Sequence, residues 1–234
     1  IDVDTSTLVE LEKPTHKELQ QLNGSLCAEF TAFIRQHEPA GVHVSVGGEI
    51  GEVGGKNSTA EELEAFVEVF NAELRRRAPG KPGMSKISIQ TGTSHGGVPL
   101  PDGTIASVKL DFDTLEKLSK LSREKYGFAG AVQHGASTLP SELFGRFPDK
   151  GACEIHLATE FQNMIFDHPS FPAELRQTIY AKLRETEAGE RKPTDTDEQF
   201  FYKTRKKALG GFKQELWSMA PAVRAAIGQS LEER

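Results

Sequence analysis

Four short stretches place reactive side chains just past apolar runs: "VSVGGEIGEVGG" with Glu49, "SIQTGTSHGG" with His95, "AVQHGAST" with His134, and "EIHLATEFQN" with His156 and Thr159. Imidazole nitrogen and carboxylate oxygen both suit a catalytic Zn²⁺ that keeps one position open for substrate. If the apolar runs are neighbouring parallel strands, Glu49, His95 and His134 converge at their ends and form such a set. Taken singly, a histidine at a strand end is more often a hydrogen-bonded core or loop residue than a ligand.

The glycines beside them have a second use. After a strand, glycine permits positive φ and lets backbone N–H groups point at an anion. "HGAST" then offers the Gly135 amide and the hydroxyls of Ser137 and Thr138, and "LATEF" offers Thr159 at a helix start. These are phosphate-binding features; plain N-capping of the helices that follow is the other reading.

The elements that must position these residues alternate regularly. Thr15 with Glu18 makes a capping box behind Pro14, and Leu19, Leu22, Leu26, Phe30, Phe33 and Ile34 then recur at helical spacing. Val42, Val44 and Val46 alternate as in a strand. Ser58 and Glu61 announce the next helix, followed by the strand "KISIQT"; Asp113 and Glu116 announce another, followed by "AGAVQH". A short helix after Pro140 leads to "ACEIHLAT", and two further helices close the chain, separated by a surface linker, "GERKPTDTDE". With "IDV" at the start there are five strands. Strands alternating with helices predict a parallel α/β sheet, open or closed into a barrel, with its active site at the carboxyl ends of the strands.

Bulk properties exclude several classes. With 28 basic against 34 acidic residues, a net charge of −6, the chain is not a general nucleic-acid binder. No apolar run approaches the ~20 residues of a membrane span. Two distant cysteines, Cys27 and Cys153, build no disulfide framework and fit a reducing cytoplasm.

Taken in order, "GGEIGEVGG", "GTSHGG", "VQHGAST" and "EIHLATEFQN" resemble the class II, metal-dependent fructose-bisphosphate aldolases. The resemblance implies a (β/α)8 TIM barrel whose fifth to eighth strands end in these motifs, with "IDV" as the fourth. Residues 1–170 would then be the C-terminal part of the barrel and 171–234 a helical extension. The first three strands would lie outside this chain, as a partner to it. It further implies reversible aldol cleavage of a ketose (bis)phosphate, such as fructose 1,6-bisphosphate, to dihydroxyacetone phosphate and an aldehyde. Zn²⁺ or another divalent metal would be held by Glu49, His95 and His134, and the assembly would be a dimer or larger oligomer. Gly96, Gly135, Ser137, His156 and Thr159 fall at substrate and phosphate positions. Arg205 is the candidate for the far phosphate, although a solvated basic helix face also explains "FYKTRKKA".

The sequence departs from the family pattern in three places. The family has a further histidine ligand in an Asp-His pair, whose Asp is the acid/base; no such pair precedes Glu49 here. Lys56 and Asn57 stand where an acidic pair usually acts in proton transfer, leaving Glu52 as the nearby substitute. The usual Asn-Ile-Asp-Thr becomes His156-Leu157-Ala158-Thr159. These departures motivate an alternative, a non-catalytic aldolase-like barrel that keeps its metal or phosphate site for assembly or regulation.

Overall fold

A computed structural model of the protein describes residues 1–51, 56–92, 100 and 110–234. The chain forms two compact units, one of Ile1–Thr93 with Val108–His156, the other of Ser94–Ser107 with Leu157–Arg234. Among the described residues no helix is long and apolar enough to cross a membrane.

The first unit runs β1 (Asp2–Val3), α1 (His16–Leu19), α2 (Gln21–His37), β2 (Gly47–Glu49), α3 (Ala60–Arg77), β3 (Lys86–Ile89), α4 (Phe112–Tyr126), β4 (Ala131–Gln133), α5 (Arg146–Asp149) and β5 (Ala152–Ile155). The strands lie side by side in chain order and every pair is parallel. Parallel neighbours need crossover connections, which the intervening helices supply. The sheet also curls. In a flat sheet with strands about 4.8 Å apart, β1 and β5 would stand about 19 Å from each other. Here one side chain of the central strand, Lys86, reaches Asp2 on β1, 3.1 Å away, and also bonds Glu154 on β5.

Several local expectations shift by one or two residues. Thr15 does cap, accepting from the Glu18 N–H at 3.2 Å, but the helix it starts is the single turn α1. The cap of α3 is Thr59 rather than Ser58, in a full capping box with Glu62. Ser58 is instead tied to Gln90, donating its N–H to that carbonyl and accepting the Gln90 N–H through Oγ, each at 2.8 Å. The cap of α4 is Asp111, which accepts from the Thr114 N–H at 2.9 Å, so Asp113 and Glu116 lie inside the helix. That N–H bond holds the Asp111 carboxyl below its usual range. Val42 to Val46 do not extend as a strand. Arg35 Nη1 donates to the Val44 carbonyl at 2.8 Å and the Val44 N–H donates to Glu38 at 3.1 Å, so side chains take the groups a ladder would use.

The largest difference concerns α2. Its buried face is Asn23, Gly24, Cys27, Ala28, Thr31 and Arg35, while Leu22, Phe30 and Phe33 are exposed. Close approach to α3 explains this. A Cβ at Gly24 would lie 2.8 Å from Val69 Cγ1, so the contact admits only small side chains. The burial pushes the Cys27 thiol up to about 12. Beneath α3, Phe66 is fully buried, and a Cβ at Gly48 would meet its ring at 3.0 Å.

The second unit contains α6 (Thr159–Asp167), α7 (Ala173–Thr186), α8 (Asp197–Thr204), α9 (Ala208–Gly211), α10 (Lys213–Trp217) and α11 (Pro221–Glu232). Its core joins Phe166, Phe171, Ile179, Leu183, Phe200, Phe201, Ala208 and Ile227. The Tyr180 and Phe201 rings stack at 3.9 Å. Within "GERKPTDTDE", Asp195 bonds Lys203 and Asp197 bonds both Arg184 and Arg191, which pins the exposed segment at several points.

Candidate functional site

Side chains alternate along a strand, and parallel partners in register share a face. Glu49 pairs in register with Ser88, Ser88 with Val132, and Val132 with Glu154. Two positions further on, past the strand ends, the same face carries His134 and His156. The β4–β5 pairing has a register shift, Ala131 opposite Ala152 but Val132 opposite Glu154, which makes Cys153 the extra residue. Without that bulge Cys153 would face Val132, and Glu154 and His156 would turn to the other face of the sheet.

Buried polar groups hold these strand ends in place. Asn23 Nδ2 donates to the Glu49 carbonyl at 2.9 Å and is itself fixed by Thr5, whose hydroxyl donates to Asn23 Oδ1 at 2.6 Å. Gln20 Nε2 donates to the Ile50 carbonyl at 3.0 Å. On β4, Gln133 is fully buried, accepts from Thr91 at 2.8 Å and donates to the His134 carbonyl at 2.6 Å. The His156 N–H donates to the Gln133 carbonyl at 2.9 Å, which carries the β4–β5 pairing one residue further.

The result brings Glu49, His134 and His156 together. His134 Nδ1 lies 3.8 Å from Glu49 Oε2, and each of the two side chains is 17% exposed. His134 Nε2 lies 3.0 Å from Ser88 Oγ. The His134 and His156 rings are in contact, with centroids 4.7 Å apart. A histidine whose far nitrogen is occupied by a hydroxyl, while the near one faces a carboxylate, is the donor arrangement of a metal ligand with an orienting partner behind it. The donor atoms of Glu49 and His134, a carboxylate oxygen and an imidazole nitrogen, are of the kinds that suit a divalent metal ion. His95, Gly96 and Glu52 lie outside the described residues.

Gly135 follows His134 with φ of 68°, the left-handed region open to glycine, and a single 3-10 turn, Ala136–Thr138, comes next. Ser137 in that turn is buried. Thr159 begins α6 in the second unit. Arg205 is buried in the same unit, with Nη1 donating to Asp167 at 2.5 Å and Nη2 donating to Asn163 at 2.5 Å and to Asp167 at 2.8 Å. An Asp-His pair does occur in the sequence, at Asp167 and His168, but it closes α6, far downstream of the motifs, and its Asp is committed to Arg205. Asn57, in the place of the acidic pair, donates to Asp111 at 2.9 Å.

Two contributing residues on β3, Lys86 and Ser88, belong to none of the four ordered motifs. Ser88 supports His134, and Lys86 joins Asp2 and Glu154. Their signal was the strict alternation of "KISIQ", where Lys86, Ser88 and Gln90 interleave with two isoleucines. Among the described residues one group of three potential metal ligands, Asp2, Glu154 and His156, has its donor atoms within 4.8 Å of one another. The Lys86 ammonium bonds both of its carboxylates and supplies the positive charge there. Burial disfavours that ammonium, but its bonds to Glu154 and Asp2 outweigh the cost and raise its pKa. The bond from Lys86 in turn holds the Glu154 carboxyl below its ordinary range.

Comparison with known structures gives aldolases. A Coccidioides immitis protein assigned as a fructose-1,6-biphosphate aldolase matches at 18% identity and a TM-score of 0.45, over 89% of this chain and 61% of that one. The YdjI aldolase from Escherichia coli K12 matches at 13% identity and 0.43, over 95% and 60%. A fructose-bisphosphate aldolase from Campylobacter jejuni matches at 16% and 0.43, over 97% and 59%. The chain thus spans about three fifths of each protein's length. The model of the class-II fructose-bisphosphate aldolase family matches residues 15–215. With five parallel strands of a (β/α)8 barrel, this chain belongs to the class-II fructose-bisphosphate aldolase family.

Proposed function

We propose that the protein is a metal-dependent aldolase, cleaving a ketose (bis)phosphate such as fructose 1,6-bisphosphate to dihydroxyacetone phosphate and an aldehyde. The observation that carries this reading is the approach of His134 Nδ1 to Glu49 at 3.8 Å, with Ser88 behind the ring, in a chain of this family. In the proposal Glu49, His95 and His134 hold Zn²⁺ or another divalent metal. When bound, the ion supplies Lewis-acid stabilisation of the negative charge that develops on the substrate oxygens during cleavage.

The chain's own residues would bind and orient. The Gly135 amide and the Ser137 hydroxyl, one strand end with His134, are assigned to one phosphate together with Gly96 and Thr159. His156 stands where the family has a substrate-contacting Asn and is assigned to accept a hydrogen bond from a sugar hydroxyl through its other ring nitrogen. Glu52 is the assigned proton carrier of the loop, because the Asn57 carboxamide donates to Asp111 and is not an acid or base near neutral pH. Arg205 is assigned to the far phosphate, which would have to displace Asp167 from the guanidinium. Among the described residues β1 and β5 end the sheet with no further strand beside them, and with the exposed Leu22, Phe30 and Phe33 of α2 this supports a partner that completes the barrel.

For the full-length protein, with the first three strands of the barrel present, the reading predicts cleavage of fructose 1,6-bisphosphate that is abolished by exhaustive chelation and restored by Zn²⁺, followed by coupled detection of dihydroxyacetone phosphate. Cleavage that survives chelation sinks it. Binding of the metal and of inorganic phosphate with no cleavage of any ketose phosphate would favour a non-catalytic barrel instead. A milder test addresses Ser88. Losing the group that orients a ligand histidine costs 10- to 100-fold in metal affinity as a rule, so Ser88→Ala is expected to weaken zinc binding by about tenfold with the fold intact.

A further inference from the structure

The inward face of β3 carries Lys86 and Ser88, two residues apart, and each anchors a different histidine system. Ser88 Oγ meets His134 Nε2 at 3.0 Å. Lys86 bonds Glu154, whose other carboxylate oxygen lies 3.2 Å from His156 Nε2. The His156 ring lies against the His134 ring, 4.7 Å between centroids. The lysine side chain is itself only 7% exposed and is held on its other side by Asp2, 3.1 Å away.

The space for this arrangement is built into β2. A Cβ on Gly47 would fall 2.1 Å from Asp2 Oδ1 and 2.9 Å from Lys86 Cε. Glycine at that position lets the lysine stem cross the strand and reach the first strand. Glu154 alone, a side chain 43% exposed on an edge strand, would sample several rotamers. With a buried ammonium bonded to one oxygen, the other oxygen is fixed in place. An ionised carboxylate only accepts hydrogen bonds, so His156 must donate from Nε2.

We propose that Lys86 is a positioning residue: clamped between Asp2 and Glu154, it fixes Glu154 as the acceptor that orients His156, and through the contact of the two rings it sets the orientation of His134. The statement about metal binding rests on the assignment of His134 as a metal ligand. The statement about the two rings does not.

The experiment uses the full chain, metal-free, with ¹⁵N-labelled histidine, and reads the ring nitrogens of His134 and His156 by NMR. Wild type is expected to show His156 as one Nε2–H tautomer. Lys86→Met is expected to average the His156 tautomers and to move the His134 nitrogens, while Lys86→Arg, which keeps the charge, stays near wild type. A folded Lys86→Met protein with both histidines unchanged overturns the proposal. If Lys86→Met does not fold, Glu154→Gln breaks the same link at a partly exposed side chain, and unchanged histidines there overturn it equally. In parallel, Co²⁺ is titrated into each protein, and Lys86→Met is expected to bind it about tenfold more weakly with an altered visible spectrum. Wild type that takes up no Co²⁺ defeats the metal reading and leaves the NMR result to decide the positioning role. Equal affinity and spectra in wild type and Lys86→Met defeat the effect of Lys86 on the metal centre and spare the metal reading.

Discussion

Replacing His134 with alanine is expected to lower zinc affinity by at least about 100-fold and to remove chelator-sensitive activity with it. Changes to residues that merely orient a ligand already cost 10- to 100-fold, and loss of the ligand itself exceeds that. The fold should survive. His134 lies one residue past β4, and the strand is held by its pairing with β3 and β5 and by the buried Gln133. The hydrogen bond given up, to Ser88, is worth about 1 kcal/mol net. Equilibrium dialysis against ⁶⁵Zn, with a urea melt as control, separates the two effects. Stoichiometric zinc at wild-type affinity in the variant would overturn the assignment of His134.

The second large effect concerns stability, at Arg35. Its side chain is fully buried at the end of α2, with Nε donating to the Pro82 carbonyl at 2.9 Å, Nη2 to Gly83 at 2.9 Å, and Nη1 to Val44 at 2.8 Å and to Glu38 at 2.9 Å. One guanidinium thus ties the helix to the segment before β2 and to the segment before β3. Arg35→Met keeps most of the volume but strands three carbonyls and a carboxylate. Hydrogen bonds from a charged group are worth about 1.5–3 kcal/mol each, and three of these run to backbone carbonyls. The variant should lose at least about 3 kcal/mol in urea unfolding. A loss below about 1 kcal/mol would mean that water replaces the guanidinium at little cost. By contrast Phe33→Ser, on the exposed side of the same helix, should change the stability of this chain far less, because that ring is 60% exposed.

The two helices show where sequence reasoning reached and where it stopped. On α3 the largest apolar residues, Leu63, Phe66 and Phe70, are the buried ones, as periodicity predicts. On α2 the same rule picks Leu22, Phe30 and Phe33, which face outward, and misses Gly24 and Arg35. Periodicity measures hydrophobicity around a helix. It carries no information about how closely a neighbouring helix approaches, and at Gly24 that distance decides the buried face. Caps moved for a related reason: Ser58 and Thr59 have equivalent hydroxyls, and the choice between them went to Thr59 because Gln90 of the neighbouring strand end engages Ser58.

The order of the strands, the parallel sheet and the placing of Glu49, His134 and His156 at strand ends follow from local signals: alternation, breaks at glycine, and four motifs in sequence. Which of those side chains face one another does not. Glu154 and His156 face inward only because the extra residue Cys153 shifts the register of β5 against β4, and a one-residue slip reverses every side chain of a strand. Lys86 lies 84 residues from Asp2 and 68 from Glu154 along the chain. Only the curl of the sheet brings all three together, because a curl sums small twists over four strand pairs and no single segment of sequence encodes it.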